Sequence, residues 1–389
     1  NFRQYIRIPS VHPNIDYTEC VAFIKRLAKN YELLCQVVGC ADKPVVILTW
    51  QGSDKNAGSI LLNSHMDVVP VYKEKWTHDP FEAVKDSEGN IYGRGSQDTK
   101  STGIQHIAAV RRLMAKRISL KRTVHILFVP DEEVGGEAGM GRFVKSKDFQ
   151  KLNVVCAIDE GSPTSDGQYA VFIDERCALK IKIHCTGPAG HGSLLHENTA
   201  GEKFQKVLDA FMDLRQTQVL KMKNSESVEL AKLAEVTTVN LTEVEGGIQN
   251  NVVPPEFILG FDVRLSVQED HDKFFAWIES VCKTVGNGVF AEYTQKEPKT
   301  QKTAADSTNP FWIAFKGVME KMNIPVNAIP FYGTTDARYL RRLGVPSFGF
   351  SPMRYTPMLL HDHNEFLNES IFMEGIDVYA NLIEALANV

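Results

Sequence analysis

The sequence has no apolar run close to the roughly 18 residues that a membrane-spanning helix needs. It also has no basic excess, because 48 acidic residues outnumber 43 basic ones and the formal net charge is −5. Proteins that bind nucleic acid or anionic membranes through surface charge usually carry a basic patch. Both absences argue against nucleic acid and membrane as partners. The length of 389 residues fits two or three domains.

Cysteine is scarce and irregularly spaced. No two cysteines form a CxxC pair or the spacing of a zinc finger, and their number is odd. The cysteines are Cys20, Cys35, Cys40, Cys156, Cys177, Cys185 and Cys282. This pattern fits free thiols in a reducing compartment better than a disulfide framework. We therefore predict a cytoplasmic protein without a structural zinc site built on cysteine.

Short apolar runs alternate with helical patterns in both the first and the last part of the chain. β-branched runs, each followed by a polar cluster, occur at residues 45–50, 59–63, 123–129, 154–158 and 346–350. Helical patterns occur at residues 17–31, 102–114, 140–145, 309–322 and 369–387. Short buried strands that alternate with helices predict an α/β fold with a mostly parallel sheet flanked by helices.

The middle of the chain follows a different order of elements. Strands are predicted at residues 178–186, 236–244, 257–266 and 289–294, and helices at 199–215 and 270–285. The order β-α-β-β-α-β is the ferredoxin-like arrangement, which forms a compact α+β unit by itself. We predict a catalytic domain of residues 1–176 and 297–389, interrupted by an inserted domain of residues 177–296.

Side chains that can bind a metal follow the ends of the predicted strands. They are His65 and Asp67, then Asp98, then Asp131, Glu132 and Glu133, then Asp159 and Glu160, and finally His361 and His363. In open α/β sheets, ligands bind at the carboxyl ends of the strands. Each cluster alone is more often a turn or a solvated loop, but their shared position at strand ends predicts a metal site.

The other histidines do not follow strand ends in this way. We predict that they are structural or face solvent, and they are His12, His78, His106, His125, His184 and His271.

The types of side chain indicate which metals the site would take. Histidine with carboxylate and without cysteine suits zinc, manganese or iron, and the number of acids suffices for two cations. Two neighbouring cations need a bridging carboxylate, and together they activate a water molecule for hydrolysis. Two such dications would also offset the repulsion within the run Asp131, Glu132 and Glu133. One glutamate would then be a ligand while its neighbour takes a proton from water.

With these residues assembled, the sequence resembles a dizinc family of amidohydrolases and exopeptidases over essentially its whole length. The motifs that carry the resemblance are SHMDVVPV at 64–71, GRGSQD at 93–98, VPDEEVGG at 129–136, GHGS at 190–193 and LLHDHNE at 359–365. The stretch at 76–89 and the LLHDHNE motif are similar to the members that act on N-acyl amino acids. The resemblance implies a zinc-peptidase-like fold in which the inserted domain serves as a lid and dimerisation domain.

The resemblance also implies a ligand set for two zinc ions. Asp98 would bridge the two ions. His65 and Asp159 would complete one site, and Glu133 and His361 the other. His361 is preferred to His363 as the ligand, because the family pattern His-x-x-(Asn/Asp)-Glu ends here at residue 365.

Further roles follow from the same resemblance. Glu132 would be the general base and Asp67 would orient the imidazole of His65. His191 would reach the active site of the partner subunit in a homodimer and stabilise the oxyanion, with Asn251 nearby.

Two arginines are candidates for binding the carboxylate of the substrate. Arg338, in the stretch GTTDAR, is the preferred one, because guanidinium binds carboxylate through two hydrogen bonds. Arg264, in FDVR, is a weaker candidate.

The resulting functional hypothesis is the zinc-dependent hydrolysis of small N-acyl-L-amino acids to a carboxylate and a free L-amino acid. A dipeptidase or another deacylase on the same scaffold is the alternative, since the same machinery cleaves any amide beside a free carboxylate. A catalytically inactive binding protein would lack a ligand or the base, and each of these positions is filled.

Overall fold

The computed structural model describes residues 1–389, the side chain of Glu229 excepted. The strands, in chain order, are β1 (Leu34–Cys40), β2 (Lys43–Trp50), β3 (Ser59–Leu62), β4 (Asn90–Tyr92), β5 (Val124–Phe128), β6 (Val154–Asp159), β7 (Tyr169–Glu175), β8 (Cys177–Thr186), β9 (Gly190–His191), β10 (Thr238–Gly246), β11 (Val252–Val253), β12 (Glu256–Leu265), β13 (Val289–Lys296), β14 (Val326–Phe331), β15 (Ser347–Gly349) and β16 (Phe366–Asn368). The helices are α1 (Phe2–Ile6), α2 (Thr18–Asn30), α3 (Lys100–Ala115), α4 (Lys147–Leu152), α5 (Ala200–Lys223), α6 (Glu229–Lys232), α7 (His271–Val285), α8 (Pro310–Lys321), α9 (Ala337–Arg342) and α10 (Glu369–Leu386).

The chain divides into two compact units. The first comprises residues 1–173, 301–329 and 335–389, and the second comprises residues 174–300 and 330–334. Across its described residues, the chain forms no helix that is both long enough and apolar enough to cross a bilayer.

The first unit is built on a mixed sheet with a parallel centre. Its strands lie in the order β1-β2-β5-β3-β6-β15-β7-β14. The pairs β5–β3, β3–β6 and β6–β15 are parallel, whereas β1–β2, β2–β5 and β15–β7 are antiparallel. The predicted α/β fold with a parallel central sheet is confirmed.

Both faces of the sheet are buried at its central strands, which explains why β3, β5 and β6 read as mostly apolar runs. Alternate residues of β5 show the division: Ile126 and Phe128 pack in the cluster that includes α3, α8 and α10, whereas Leu127 packs on the opposite face. Ile60 and Leu61 of β3 divide between the two clusters in the same way.

The second unit is a four-stranded antiparallel sheet with α5 and α7 packed on one face. The strand order is β10-β12-β8-β13. Its apolar cluster includes alternate residues of β8, such as Leu179, Ile181 and Ile183, together with Phe211 of α5 and Ile278 of α7. The sequence β8-α5-β10-β12-α7-β13 with this strand order is the ferredoxin-like arrangement.

Two local predictions differ from the structure. The helix predicted at 140–145 is instead a π-helical turn at Glu137–Gly141, inside which Gly139 has non-helical dihedral angles (φ −93°, ψ −105°). The strand predicted at 45–50 is present as β2, but it pairs with β1, which extends the sheet at a position where no strand is predicted. Most residues of β1 are exposed, so its sequence lacks the apolar alternation that marks a half-buried strand.

Candidate metal centre

Parallel pairing of neighbouring strands brings the candidate metal-binding side chains to one edge of the sheet. Leu62 near the end of β3 pairs with both Ile126 of β5 and Ile158 of β6. His65, three residues further on, still forms an isolated bridge with Val129. The loops that follow these three strands therefore leave the sheet side by side, where open α/β sheets bind ligands.

Asp98 stands between two histidines. Its Oδ1 lies 2.9 Å from Nε2 of His65, and its Oδ2 lies 3.2 Å from Nε2 of His361. Although burial alone would raise it, the hydrogen bonds from His361 and His65 hold the pKa of Asp98 well below its ordinary value. The peptide bond that follows, between Asp98 and Thr99, is cis. Asp98 thus offers one carboxylate oxygen to each of the two imidazoles. A carboxylate that bridges two cations has the same arrangement.

Glu133 completes the group around His361. Its Oε2 lies 2.9 Å from Nε2 of His361, and its Oε1 is buried without a hydrogen-bond partner among the described side chains. Burial and the nearby carboxylate of Asp98 raise the pKa of Glu133 to about 7. A divalent cation beside this carboxylate would therefore favour its ionised form.

Glu132 lies next to this group but faces other partners. Single carboxylate oxygens of Glu132 and Glu160 and a ring nitrogen of His65 all lie within 4.8 Å of one another. Burial, followed by the charge of Glu160, raises the pKa of Glu132 well above its ordinary value. A carboxylate with a raised pKa takes up a proton more readily, as a general base must.

Asp131, the first of the three consecutive acids, points away from the metal-binding group. Its backbone adopts a left-handed conformation with φ of 63°. Its Oδ1 accepts a 2.7 Å hydrogen bond from the hydroxyl of Tyr17, and its Oδ2 lies 2.5 Å from Nζ of Lys43. Lys43, rather than a metal ion, therefore offsets the charge of Asp131.

Asp67 ties the loop after β3 to the loop after β5. Its carboxylate accepts hydrogen bonds from the backbone N–H groups of Glu132 at 3.2 Å and of Glu133 at 3.0 Å. Nε2 of His12 lies 2.9 Å from Oδ2 of Asp67. Nδ1 of His65 lies 2.8 Å from the backbone oxygen of Asp67. Asp67 thus contacts His65, as the resemblance implies, and also holds the backbone of both glutamates.

His12 is a residue of this network that the sequence did not reveal. The sequence predicts that His12 is structural or faces solvent, because it does not follow a strand of the sheet. It lies 55 residues before Asp67 in the chain, and only folding brings the two side chains together. Against the opposing effect of burial, the hydrogen bond from His12 helps to hold the pKa of Asp67 below its ordinary value.

Glu160, rather than Asp159, reaches the metal-binding group. Oε2 of Glu160 lies 3.1 Å from Nε2 of His65, whereas Oδ1 of Asp159 accepts a 2.8 Å hydrogen bond from Nδ2 of Asn63. Asn63 and Asp159 directly follow a paired position of β3 and β6, so their side chains lie side by side on one face. The prediction that Asp159 completes the site of His65 is therefore corrected, and Glu160 occupies that place.

This set of residues fits a pair of divalent metal ions. The carboxylates of Asp98, Glu133 and Glu160 converge on two imidazoles, and charged carboxylates this close repel one another strongly in a buried site. The buried Oε1 of Glu133 still offers lone pairs to a ligand. Histidine and carboxylate donors without cysteine match zinc and similar transition metals.

The guanidinium of Arg338 is engaged by the fold. The residue is 2% exposed, and it donates hydrogen bonds to the backbone oxygens of Thr335 and Gly135. Its guanidinium also lies 4.7 Å from the centre of the Tyr339 ring. These contacts tie α9 to the loop that carries Glu132 and Glu133, and a role of Arg338 in substrate binding stays a prediction.

The remaining candidate residues lie in the second unit. His191 is exposed on β9, opposite Val252 of β11, and the backbone N–H of Gly192 bonds the backbone oxygen of Asn251 at 2.8 Å. His191 and Asn251 are therefore neighbours. Arg264 forms two hydrogen bonds of 2.8 and 3.1 Å with Asp262 on the same strand. The catalytic and substrate-binding roles of these residues stay predictions.

The fold and the motifs define the class of protein. Residues 61–385 match peptidase family M20/M25/M40, and the chain belongs to this family. The fold is similar to that of an M20 family metallo-carboxypeptidase from Sulfolobus solfataricus, with a TM-score of 0.74 at 18% sequence identity, covering 99% of this chain and 98% of that one.

Within this class the chain is similar to aminoacylase-1. It is 45% identical to aminoacylase-1A of Rattus norvegicus over 389 residues, which cover 100% of this chain and 95% of that protein. It is also 45% identical to aminoacylase-1 of Sus scrofa, with the same coverage. The resemblance drawn from the motifs is confirmed.

We expect that replacing His361 by Ala lowers the metal content, whereas the same replacement of His363 leaves it close to that of the wild type. Nε2 of His361 faces both Asp98 and Glu133, so its removal takes a donor from the group. His363 instead packs edge-on against Tyr72, with ring centroids 6.2 Å apart. Metal analysis after dialysis against metal-free buffer checks this, and equal loss from both variants would contradict the choice of His361.

Proposed function

We propose that the protein hydrolyses N-acyl-L-amino acids to a carboxylate and a free L-amino acid. The observation that carries the proposal is the set of His65, Asp98, Glu133, Glu160 and His361 around a further buried glutamate, in a chain that matches aminoacylase-1 over its whole length. The five residues supply donors for metal ions, and the sixth, a carboxylate with a raised pKa, is left for proton transfer.

We propose zinc as the metal, with two ions in each subunit. Asp98 would bridge them, His65 and Glu160 would complete one site, and Glu133 and His361 the other. The bound ions would supply Lewis-acid chemistry, polarising the scissile carbonyl and making a water molecule more acidic. The short contacts between these carboxylates and imidazoles support this assignment.

Glu132 would move the proton that hydrolysis requires. Its carboxylate would first accept a proton from water and then deliver it to the amide nitrogen as the amine leaves. Asp67 would serve the reaction indirectly, since it accepts hydrogen bonds from the backbone N–H groups of Glu132 and Glu133 and contacts the imidazole of His65.

The substrate carboxylate would be bound by an arginine, with Arg338 preferred and Arg264 as the weaker candidate. A planar guanidinium suits this task, because it can form two parallel hydrogen bonds to a carboxylate. Both side chains also have other partners in the fold, Arg338 with backbone oxygens and Arg264 with Asp262.

The experiment that tests the proposed function compares three substrates of matched size. We expect high kcat/KM for N-acetyl-L-methionine, low values for dipeptides that end in methionine, and little turnover of an N-acetyl amine that lacks the carboxylate. A preference for the dipeptides would instead favour the alternative, a dipeptidase on the same scaffold. The similarity to aminoacylase-1 favours the first outcome.

We further propose a homodimer formed through the inserted domain, in which His191 acts at the partner's active site. The exposure of His191 on the short β9–β11 pair supports this, together with exposed apolar side chains at Leu194, Leu195 and Ile248 on the adjoining loops. Exposed large apolar side chains clustered in loops often mark an interaction surface.

Mixing two inactive variants tests this arrangement. Glu132→Ala and His191→Ala chains should each be nearly inactive alone, but in a mixed dimer one site combines the intact Glu132 with the intact His191. Two-fold symmetry makes both pairings geometrically equivalent, so random exchange should restore about a quarter of wild-type activity. Co-expression provides the exchange. No recovery in verified mixed dimers would mean that His191 does not act across subunits.

We propose a cytoplasmic location for the enzyme. All seven cysteines are free thiols, including the exposed Cys35 and Cys40, and exposed thiols persist in reducing compartments.

A further inference from the structure

A fully buried carboxylate lies beside the loop that carries Asp98. It belongs to Glu365, which is 0% exposed. Its hydrogen-bond donors come from consecutive residues: Nη1 of Arg94 at 2.7 Å, the backbone N–H of Gly95 at 3.1 Å, Oγ of Ser96 at 3.4 Å, and the backbone N–H groups of Gln97 at 2.6 Å and Asp98 at 3.3 Å. The side chain of Glu365 thus holds the whole turn that ends at Asp98, the proposed bridging ligand.

The side chain of Gln97 makes a second connection between the same two segments. Its Nε2 donates hydrogen bonds to the backbone oxygens of Pro357 at 3.1 Å and Phe366 at 2.8 Å. Its Oε1 accepts a 3.0 Å hydrogen bond from the backbone N–H of Leu359. These contacts span the stretch on both sides of His361.

We propose that Glu365 and Gln97 are positioning residues that set the distance between Asp98 and His361. We call the pair the clasp. The inference rests on the proposed function, because it takes Asp98 and His361 as metal ligands. It adds a role for two residues that the scheme does not count among the metal ligands.

The covalent chain alone cannot set this distance, because about 260 residues separate the two ligands. Asp98 ends a turn and His361 lies in a loop with φ of 61°, so neither ligand is held within a regular helix or strand. The short pair of β4 and β16 joins the same segments but ends at Tyr92 and Phe366, before either ligand is reached. The hydrogen bonds made by the clasp begin where the pairing of β4 with β16 stops.

A carboxylate suits this place better than a neutral side chain. Arg94, which is 2% exposed, needs a buried counter-charge, and the turn presents further N–H groups that need acceptors. Two carboxylate oxygens can accept all of these bonds. A glutamine at this position would direct its NH₂ group, which is a donor, towards some of these donors. The turn would then lose some of its hydrogen bonds, although the side chain keeps the same volume.

Glu365→Gln and Gln97→Met are the variants that test the proposal. Both keep the size of the side chain and remove bonds of the clasp. We expect each to raise the apparent Kd for zinc by about 10- to 100-fold, as substitutions of residues that orient metal ligands typically do. Competition with a chromophoric chelator measures this without any substrate. The visible spectrum of the cobalt-loaded protein should also change, because the ligand geometry changes.

Two matched controls separate positioning from general destabilisation. Glu369→Gln makes the same substitution four residues away, at an exposed side chain that bonds Lys85. Leu382→Ala leaves a cavity in the buried face of α10, and it is expected to lower Tm without changing zinc affinity measured well below the Tm.

The outcomes are distinguishable. If both clasp variants fold and bind zinc within twofold of the wild type, the proposal is overturned. If Glu365→Gln does not fold, Gln97→Met alone decides, since it removes only neutral hydrogen bonds. Failure of the proposed ligand scheme would show itself differently, as an unchanged zinc affinity in His361→Ala. Failure of the proposed substrate class would leave the zinc measurements intact.

Discussion

Glu132→Gln is expected to lower kcat for N-acyl-L-amino acid hydrolysis by about two to four orders of magnitude, the usual contribution of a positioned general base. Glutamine has the same shape but cannot accept a proton from water. The contact that holds the loop runs from the backbone N–H of Glu132 to Asp67, so it survives the change. The substitution also removes the repulsion between Glu132 and Glu160, and metal content should stay close to that of the wild type.

The measurement is kcat and metal content on the same preparation. Glu137→Gln is the control, because Glu137 begins the next turn of the chain and pairs with Lys145 in an exposed position. It should keep wild-type activity. If Glu132→Gln instead loses metal and regains activity once metal is resupplied, the roles of Glu132 and Glu133 have been assigned the wrong way round.

Glu160→Gln should weaken zinc binding at one site by more than about 100-fold, beyond what substitutions outside the ligand set cost. Glutamine offers a neutral oxygen in place of a charged one at the position 3.1 Å from Nε2 of His65. Asp159→Asn should have a much smaller effect, because Asp159 bonds Asn63 and asparagine retains an oxygen that can accept this bond.

Zinc titration of the metal-free proteins checks this pair of variants. The wild type and Asp159→Asn should bind two ions with similar affinity, whereas Glu160→Gln should bind one tightly and one weakly. The opposite pattern, in which Glu160→Gln binds both ions as the wild type does and Asp159→Asn binds one of them weakly, would restore Asp159 as the ligand. Far-ultraviolet circular dichroism on both variants confirms that they are folded.

Much of the site could be predicted because its residues follow strands of easily recognised type. The runs at 59–63, 123–129 and 154–158 are mostly apolar and buried, which is typical of a sheet covered on both faces. Parallel pairing then brings their carboxyl ends together. The proximity of His65 to the glutamates after β5 follows from that one rule.

The errors occurred where a choice between neighbouring residues depends on side-chain direction. Asp159 and Glu160 have the same chemistry and adjacent positions, so composition does not distinguish them. The register of β3 and β6 places Asn63 beside Asp159 and leaves Glu160 to face His65. The side chain of Asp131 points away from the candidate metal site, because its backbone is left-handed and its carboxylate contacts Lys43.

The sequence by itself determined the class of fold, the family and the kinds of donor atoms at the site, because apolar periodicity and motif spacing are local properties of the chain. Only the tertiary structure decided that Glu160 faces His65, that His12 contacts Asp67 and that Glu365 holds the turn before Asp98. Each of these contacts joins residues far apart in the chain. Their direction depends on strand register and loop dihedral angles, which are settled when the buried faces of the sheet pack.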